Sequence, residues 1–308
     1  LIEKRSLIHP NKSGIMETVI ENKKPRMSDD PLYNILNLDV SELPGYPTAI
    51  NDIHSRKIDG MLIRGVLSEE EVNTILSNYK NVEPGDIVHR PEIAIYPRGF
   101  AAYYDEEGEN LENYFKHGQK FNETFPGIFK VDLEARFRKV FGELSNGLPF
   151  AAAPAFNGVG SFAFSQIRNM KPNHGALPLH CGNVFQAMYE DFYADLKKIA
   201  DIRNQMSFFV MLQQPDMGGE LTLYDIIYEL GQKMIPFDEM SLVDGKVVSI
   251  HDKDLKRKVL NPMPGDMIIF SAGPIWHKVE AIVGSRDRVT VGGFFAFSLN
   301  HDAINSWA

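Results

Sequence analysis

Pro264-Gly-Asp-Met-Ile-Ile-Phe-Ser-Ala-Gly-Pro-Ile-Trp-His277 and, a few residues on, Gly284-Ser-Arg-Asp-Arg-Val-Thr-Val-Gly-Gly293 are short apolar runs broken by Gly, Pro and Asp. That punctuation belongs to strands and tight turns rather than to helices. The spacing predicts a hairpin, with one strand through His277, a turn at Gly284 to Asp287 and a return strand from Arg288. In that hairpin Arg288 comes back beside His277 on the neighbouring strand. Thr290, two residues further, shares the face of Arg288.

Working outward, the same pattern marks strands over 162–168, 206–213, 220–224, 266–271, 276–282 and 289–297. No βαβ rhythm connects them, so the expected fold is mainly β with flanking helices (α+β), a barrel or jelly roll with the helices outside. Three helices are predicted. Ser68 can cap the first, with Glu71 completing a capping box and Val72, Ile75, Leu76 and Tyr79 at helical spacing. The second covers about 131–145, with Leu133, Phe137, Val140, Phe141 and Leu144 on one face, and the third about 186–203. Residues 1–35 are polar, without a sustained apolar period, and read as a mobile tail before a folded domain over 36–308.

The chain has 308 residues, enough for one sizeable core. A formal net charge of −9 leaves no basic footprint for nucleic acid or an anionic membrane. Cys181 is the one cysteine, so no intrachain disulfide can form. No apolar run approaches a membrane span, and the compartment reads as cytoplasmic. The first residue is Leu, which points to Met16 or Met27 as the true start.

Nine histidines are present. His9, His54, His117, His251 and His301 sit in polar surroundings and read as solvated surface, while His89 and His174 stay undecided. His180, in Ala176-Leu-Pro-Leu-His-Cys-Gly-Asn-Val-Phe185, and His277 lie in strand-like contexts late in the chain. Two histidines with an arginine fork nearby suit iron(II) and a chelating keto acid. The keto and proximal carboxylate oxygens of 2-oxoglutarate bind the metal, and its distal carboxylate needs the planar donor pair that Arg288 offers, with the Thr290 hydroxyl beside it.

Such a centre ordinarily has two histidines and one carboxylate. The carboxylate is expected two residues after the first histidine, where period-two alternation returns to the same face. Here that residue is Gly182, and no histidine in the chain has Asp or Glu two residues on. A centre with two protein ligands leaves a vacancy large enough for a halide. Three readings stand at this point: a halogenase, a 2-oxoglutarate hydroxylase with water in the vacancy, and a non-catalytic β-helix protein in which both histidines are core residues and Gly182 a turn.

From Tyr46-Pro-Thr-Ala-Ile50 to the C-terminus the chain resembles the freestanding non-haem iron/2-oxoglutarate halogenases of hapalindole and welwitindolinone alkaloid pathways. The resemblance rests on Asp59-Gly-Met-Leu-Ile-Arg-Gly-Val66, His180-Cys-Gly-Asn183, Gln205-Met-Ser-Phe-Phe209, Gly218-Gly-Glu-Leu221 with Tyr224, Pro264-Gly-Asp266 and Val291-Gly-Gly-Phe-Phe-Ala-Phe-Ser298, in that order. It implies a double-stranded β-helix (cupin-like jelly roll), iron on His180 and His277, and chloride in the space left by Gly182 with Asn183 in support. It implies Arg288 on the distal carboxylate of 2-oxoglutarate, and Ser207 as a residue that favours chlorine over hydroxyl transfer. Arg168 resembles an arginine in the strand before the first ligand, and Leu177 a position facing the substrate.

The implied reaction consumes Fe(II)-bound 2-oxoglutarate, O2 and chloride, and chlorinates an unactivated carbon of a freestanding small molecule, an indole alkaloid being the family's precedent, without a carrier protein. Residues 93–110, with Tyr96, Phe100, Tyr103 and Tyr104, depart from the family pattern and read as an aromatic lid over the substrate or as core. Residues 229–254 also depart and read as a surface insertion. Cys181, one residue from a ligand on a pleated strand, is expected to point away from the metal.

Overall fold

A computed structural model describes residues 32–98, 110–156, 158–174, 176–228, 240–243, 246–249 and 255–308. Residues 1–31, and Phe100, Tyr103 and Tyr104 of the expected lid, lie outside the described residues, as does most of 229–254. At the other limit of the expected tail, Tyr33 is already buried, and its hydroxyl donates to Tyr224 O.

The strands in chain order are β1 (Ile35–Asp39), β2 (Gly60–Arg64), β3 (Val88–His89), β4 (Ile93–Tyr96), β5 (Phe150–Ala152), β6 (Gln166–Met170), β7 (Leu177–His180), β8 (Met206–Gln213) and β9 (Met217–Gly218). After these come β10 (Leu221–Ile227), β11 (Met240–Val243), β12 (Lys246–Ser249), β13 (Arg257–Leu260), β14 (Met267–Phe270), β15 (Ile275–Val279), β16 (Ile282–Val283), β17 (Arg288–Phe297) and β18 (Ile304–Trp307). The helices are α1 (Ala49–His54), α2 (Glu69–Tyr79), α3 (Leu111–Phe129), α4 (Leu133–Leu144), α5 (Gly182–Met188) and α6 (Glu190–Leu196). Among the described residues no helix is long and apolar enough to cross a membrane.

The architecture is mainly β. A ten-stranded sheet runs β1-β2-β14-β8-β17-β6-β4-β3, with β18 and β5 joined through β17, and a four-stranded sheet runs β13-β10-β15-β7. Period-two alternation splits the large sheet into two faces. Met61, Ile63, Phe208, Val210, Ile269, Val291 and Phe295 pack outward on the aromatic faces of α3 and α4. Leu62, Phe209, Met211, Ile268 and Phe270 pack inward on Leu221, Leu223, Leu260 and Ile275 of the small sheet. The second of these layers lies between the two sheets.

The first two predicted helices form as expected. Ser68 Oγ accepts from Glu71 N at 3.2 Å, Glu71 Oε2 accepts from Ser68 N at 2.8 Å, and α4 buries the five residues expected of it. The predicted helix over 186–203 is instead α5, α6 and a 3₁₀ turn at Ile202–Asn204. Tyr189 (φ −127°, ψ 53°) breaks it, and the chain folds back so that Gln186 Nε2 donates to Ile202 O at 2.6 Å. Phe192, Leu196 and Ile202 stay in one cluster despite the break.

The predicted hairpin between His277 and Arg288 does not form. β15 belongs to the small sheet and β17 to the large one, and β16, paired with β9, lies between them. Arg288 and His277 are therefore not neighbours on adjacent strands. The chain crosses from one sheet to the other, because each layer needs the opposite one to bury its inner face.

The longest helix, α3, went unread in the sequence. Its buried side carries Tyr114, Phe115, Gly118, Phe121, Phe125 and Phe129. A Cβ at Gly118 would stand 2.5 Å from Ser161 O and 2.7 Å from Ala163 N, both backbone atoms. Gly118→Ala is therefore expected to destabilise by about 1–3 kcal/mol through overpacking, against the gain that helix propensity alone would give. Thermal denaturation checks the sign: an unchanged or higher Tm would refute the close approach.

Candidate active site

β7 and β15 are antiparallel neighbours, and His180 stands directly opposite His277. Their ring centroids lie 4.3 Å apart. His277 is 5% exposed. Its Nδ1 donates to Ile275 O at 2.8 Å, which fixes the tautomer and leaves Nε2 as the lone-pair atom a metal requires. Burial, and then the neighbouring His180, hold the His277 imidazole well below its ordinary pKa; Arg168 acts in the same direction and the Ile275 carbonyl opposes it. Neutral imidazole is the metal-binding form. Phe270 meets the His277 ring edge-on at 4.9 Å, and Phe185 lies 5.3 Å from His180, so both rings are braced.

Among the described residues no Asp or Glu joins His180 and His277 in a group that could hold a metal. Gly182 is the first residue of α5, beyond the end of β7, with its N donating to Ala272 O at 2.8 Å. The strand alternation assumed in the sequence reading stops one residue too early to govern it. The space beside Gly182 is also lined: a Cβ there would run into the Gln205 amide, with Cδ at 3.0 Å. Gln205 is fully buried, and neither end of its amide has a hydrogen-bond partner. It was quoted in the sequence only as part of a motif, and its lack of a partner could not be read there.

Asn183 Oδ1 accepts from Gln186 Nε2 at 3.2 Å. Cys181 is buried with Val184 and Trp276, and burial pushes its thiol up to about 12. Ser207 faces Phe270 across β14 and Phe294 across β17, and its hydroxyl donates to Gly293 O at 3.1 Å.

Arg168 and Thr290 pair across β6 and β17, and Arg288 shares their face two residues along. Arg288 is buried, its Nε donates to Gly219 O at 2.7 Å, and its guanidinium lies 5.3 Å from the Phe209 ring centre. Burial, then the charge of Arg168, lowers Arg288 to about 9, and Glu220 opposes the shift; burial lowers Arg168 to about 10. Gln166, with its amide oxygen turned toward Arg168, accepts from Nε at 2.8 Å and Nη2 at 2.6 Å. Among the described residues neither guanidinium has an ion pair. Arg288 is buried and Arg168 partly so, with Glu220 the one acidic group that acts on Arg288 among the described residues, and an anionic ligand would further offset the repulsion between the two guanidinium groups.

On the substrate side, a register shift between His180/His277 and Leu177/Val279 turns Leu177 to the face of Val279, where it packs with Ile93, Ile95 and Met170. Tyr96 is a correction. It packs edge-on against Phe121 and Tyr79 in the core under the helices, because it stands opposite Ile167 on the outer face of the sheet. Ile95, one residue earlier and opposite Arg168, takes the inner face instead.

The chain matches no curated protein. Among solved structures it is similar to an N-substituted L-amino acid dioxygenase from Burkholderia ambifaria AMMD, with a TM-score of 0.55 at 15% identity over 84% of this chain and 90% of that one. The same dioxygenase in complex with alpha-KG gives a TM-score of 0.52 at 15% identity, again over 84% and 90%. At this identity the likeness speaks for the fold. The family model for the carrier-protein-independent halogenase WelO5 matches residues 32–308, nearly the whole chain. A family model that covers so much of the sequence shows the family, and the chain belongs to the WelO5 family of carrier-protein-independent halogenases.

Proposed function

We propose that the protein uses Fe(II), 2-oxoglutarate, O2 and chloride to chlorinate an unactivated carbon of a freestanding small molecule, with the two facing sheets acting as a cupin-like double-stranded β-helix. The observation that carries this reading is the pairing of His180 with His277, with no carboxylate beside them among the described residues, in a lumen that also holds Arg168 and Arg288. The donor set fits iron: two imidazoles on adjacent strands, one with its tautomer fixed by Ile275, leave the remaining positions to exogenous ligands.

When bound, iron with 2-oxoglutarate and O2 supplies the power to remove a hydrogen atom from the substrate and return chlorine, leaving succinate and carbon dioxide. Arg288 takes the distal carboxylate of 2-oxoglutarate, with Thr290 on the same face, and Arg168 adds a second cation to the field around the dianion. The halide takes the side of Gly182, where a side chain would meet the Gln205 amide. Asn183, whose Oδ1 accepts from Gln186, supports the halide from the residue after Gly182. Ser207, fixed by Gly293 O, keeps its oxygen lone pairs for the reacting side of the lumen. Leu177 and Ile95 face the substrate, and the apolar rings around the histidines exclude water.

Anaerobic titration with Fe(II) and 2-oxoglutarate is expected to give the visible charge-transfer band of the chelate. A folded protein with no band would overturn the metal assignment. Products formed with chloride and O2 from candidate metabolites should then show the chlorine isotope pattern. A band followed by products that gain only oxygen would overturn the halide assignment while sparing the iron.

A further inference from the structure

His54, Asp201 and His301 are far apart in sequence, and two of them read as ordinary surface histidines. The fold brings them together. His54 ends α1, Asp201 precedes the 3₁₀ turn at Ile202–Asn204, and His301 lies in the turn between β17 and β18. One donor atom from each falls within 4.8 Å of the other two. His54 Nε2 is 3.3 Å from Asp201 Oδ2, and His301 Nε2 is 3.9 Å from the same oxygen.

Tetrahedral coordination with metal–ligand bonds of about 2.1 Å sets donor atoms about 3.4 Å apart. The first pair already has that spacing, and the second needs to close by a few tenths of an ångström. The rings are held in place from behind. His301 stacks on Phe297 at 5.0 Å and 12°, His54 meets the same ring edge-on at 5.1 Å, and the two imidazoles stand 5.4 Å apart at 89°. Asp201 N donates to Phe297 O at 2.9 Å, so the carboxylate is tied to the strand that carries the stacking ring. His301 itself adopts a left-handed backbone conformation (φ 57°), which a non-glycine residue enters at a cost.

We propose that His54, Asp201 and His301 form a second metal site, separate from the pair His180 and His277, for a divalent late transition metal, zinc above all, with water as the fourth ligand. Two imidazoles and one carboxylate select such ions over magnesium and calcium, which require oxygen donors. His54 is half-buried and His301 46% exposed on its side chain, so the site opens to solvent on one side and accepts an ion without unfolding. Bound metal would clamp α1, the 200–205 segment and the β17–β18 turn. Asp201 lies four residues before Gln205, so the clamp braces the approach to the residue beneath Gly182.

The test uses the full chain with the central pair removed, His180→Ala/His277→Ala, so that iron chemistry plays no part. Calorimetric titration with Zn2+ is expected to give one equivalent and a raised Tm, with no response to Mg2+. Adding His301→Ala, at an exposed position, should weaken the binding by about tenfold or more, since one of three ligands is lost, without lowering the Tm measured in chelator. Asp201→Asn should weaken it likewise. No stoichiometric zinc in the parent variant, or zinc binding unchanged by His301→Ala and Asp201→Asn, would overturn the proposal.

Discussion

Gly182→Asp is expected to divert the product from chlorinated to hydroxylated and to lower the stability of the protein. The substitution returns a carboxylate two residues after His180 and gives it the space assigned to chloride. A side chain at 182 also meets the buried Gln205 amide, so the enzyme must repack around it. Overpacking of this kind costs about 1–3 kcal/mol. The position at the start of α5 favours an acidic residue and returns a few tenths of that. Gln205→Ala in the same chain removes the obstruction, so the double variant should recover Tm and show the cleaner change of product. Mass spectrometry of the product mixture reads the ratio directly. Undiminished chlorination by Gly182→Asp, with no oxygenated product, would remove Gly182 from the halide site.

The second large effect is expected at Arg288. Charge-assisted hydrogen bonds contribute about 1.5–3 kcal/mol each, so losing a two-pronged contact to the distal carboxylate should weaken 2-oxoglutarate binding by about two to four powers of ten. Arg288→Gln removes the charge, while Arg288→Lys keeps it and loses the fork. Lys should therefore fall between Gln and the natural residue. A merely structural arginine would behave differently. Arg288 lies in the field of Arg168, so Arg288→Gln relieves a repulsion in the ligand-free protein and should leave its Tm little changed even as co-substrate affinity collapses. The charge-transfer titration supplies the affinity and calorimetry the Tm. Equal affinity in all three proteins would place the distal carboxylate elsewhere.

The strand pattern in the second half of the sequence was legible because Gly, Pro and Asp interrupt short apolar runs there. Six of its predicted segments correspond to β6, β8, β10, β14, β15 and β17. The capping box at Ser68 and the apolar stripe of α4 were equally plain, since both depend on local spacing. What stayed hidden depends on partners distant in sequence. The hairpin reading failed because a strand carries no mark of which sheet it joins, and β16 pairs with β9 some sixty residues away. Of the two readings open for Tyr96, lid or core, the fold takes the core, because alternation puts it on the opposite face from Ile95. The i, i+4 series Phe121, Phe125 and Phe129 could have revealed α3. Gln205 and the meeting of His54, Asp201 and His301 required coordinates, because burial without a partner and convergence of distant segments leave no periodic trace.

The charge of Arg168 acts against that of Arg288 between the two sheets, and Glu220 opposes that effect. The ligand-free form is expected to open locally more readily than the form with 2-oxoglutarate bound, as limited proteolysis would show. A dicarboxylate that occupies the lumen shifts that balance by mass action whether or not it can react. Succinate, which keeps both carboxylates after turnover, would thus serve as a preservative for the purified protein, and polyvalent buffer anions would compete for the same berth.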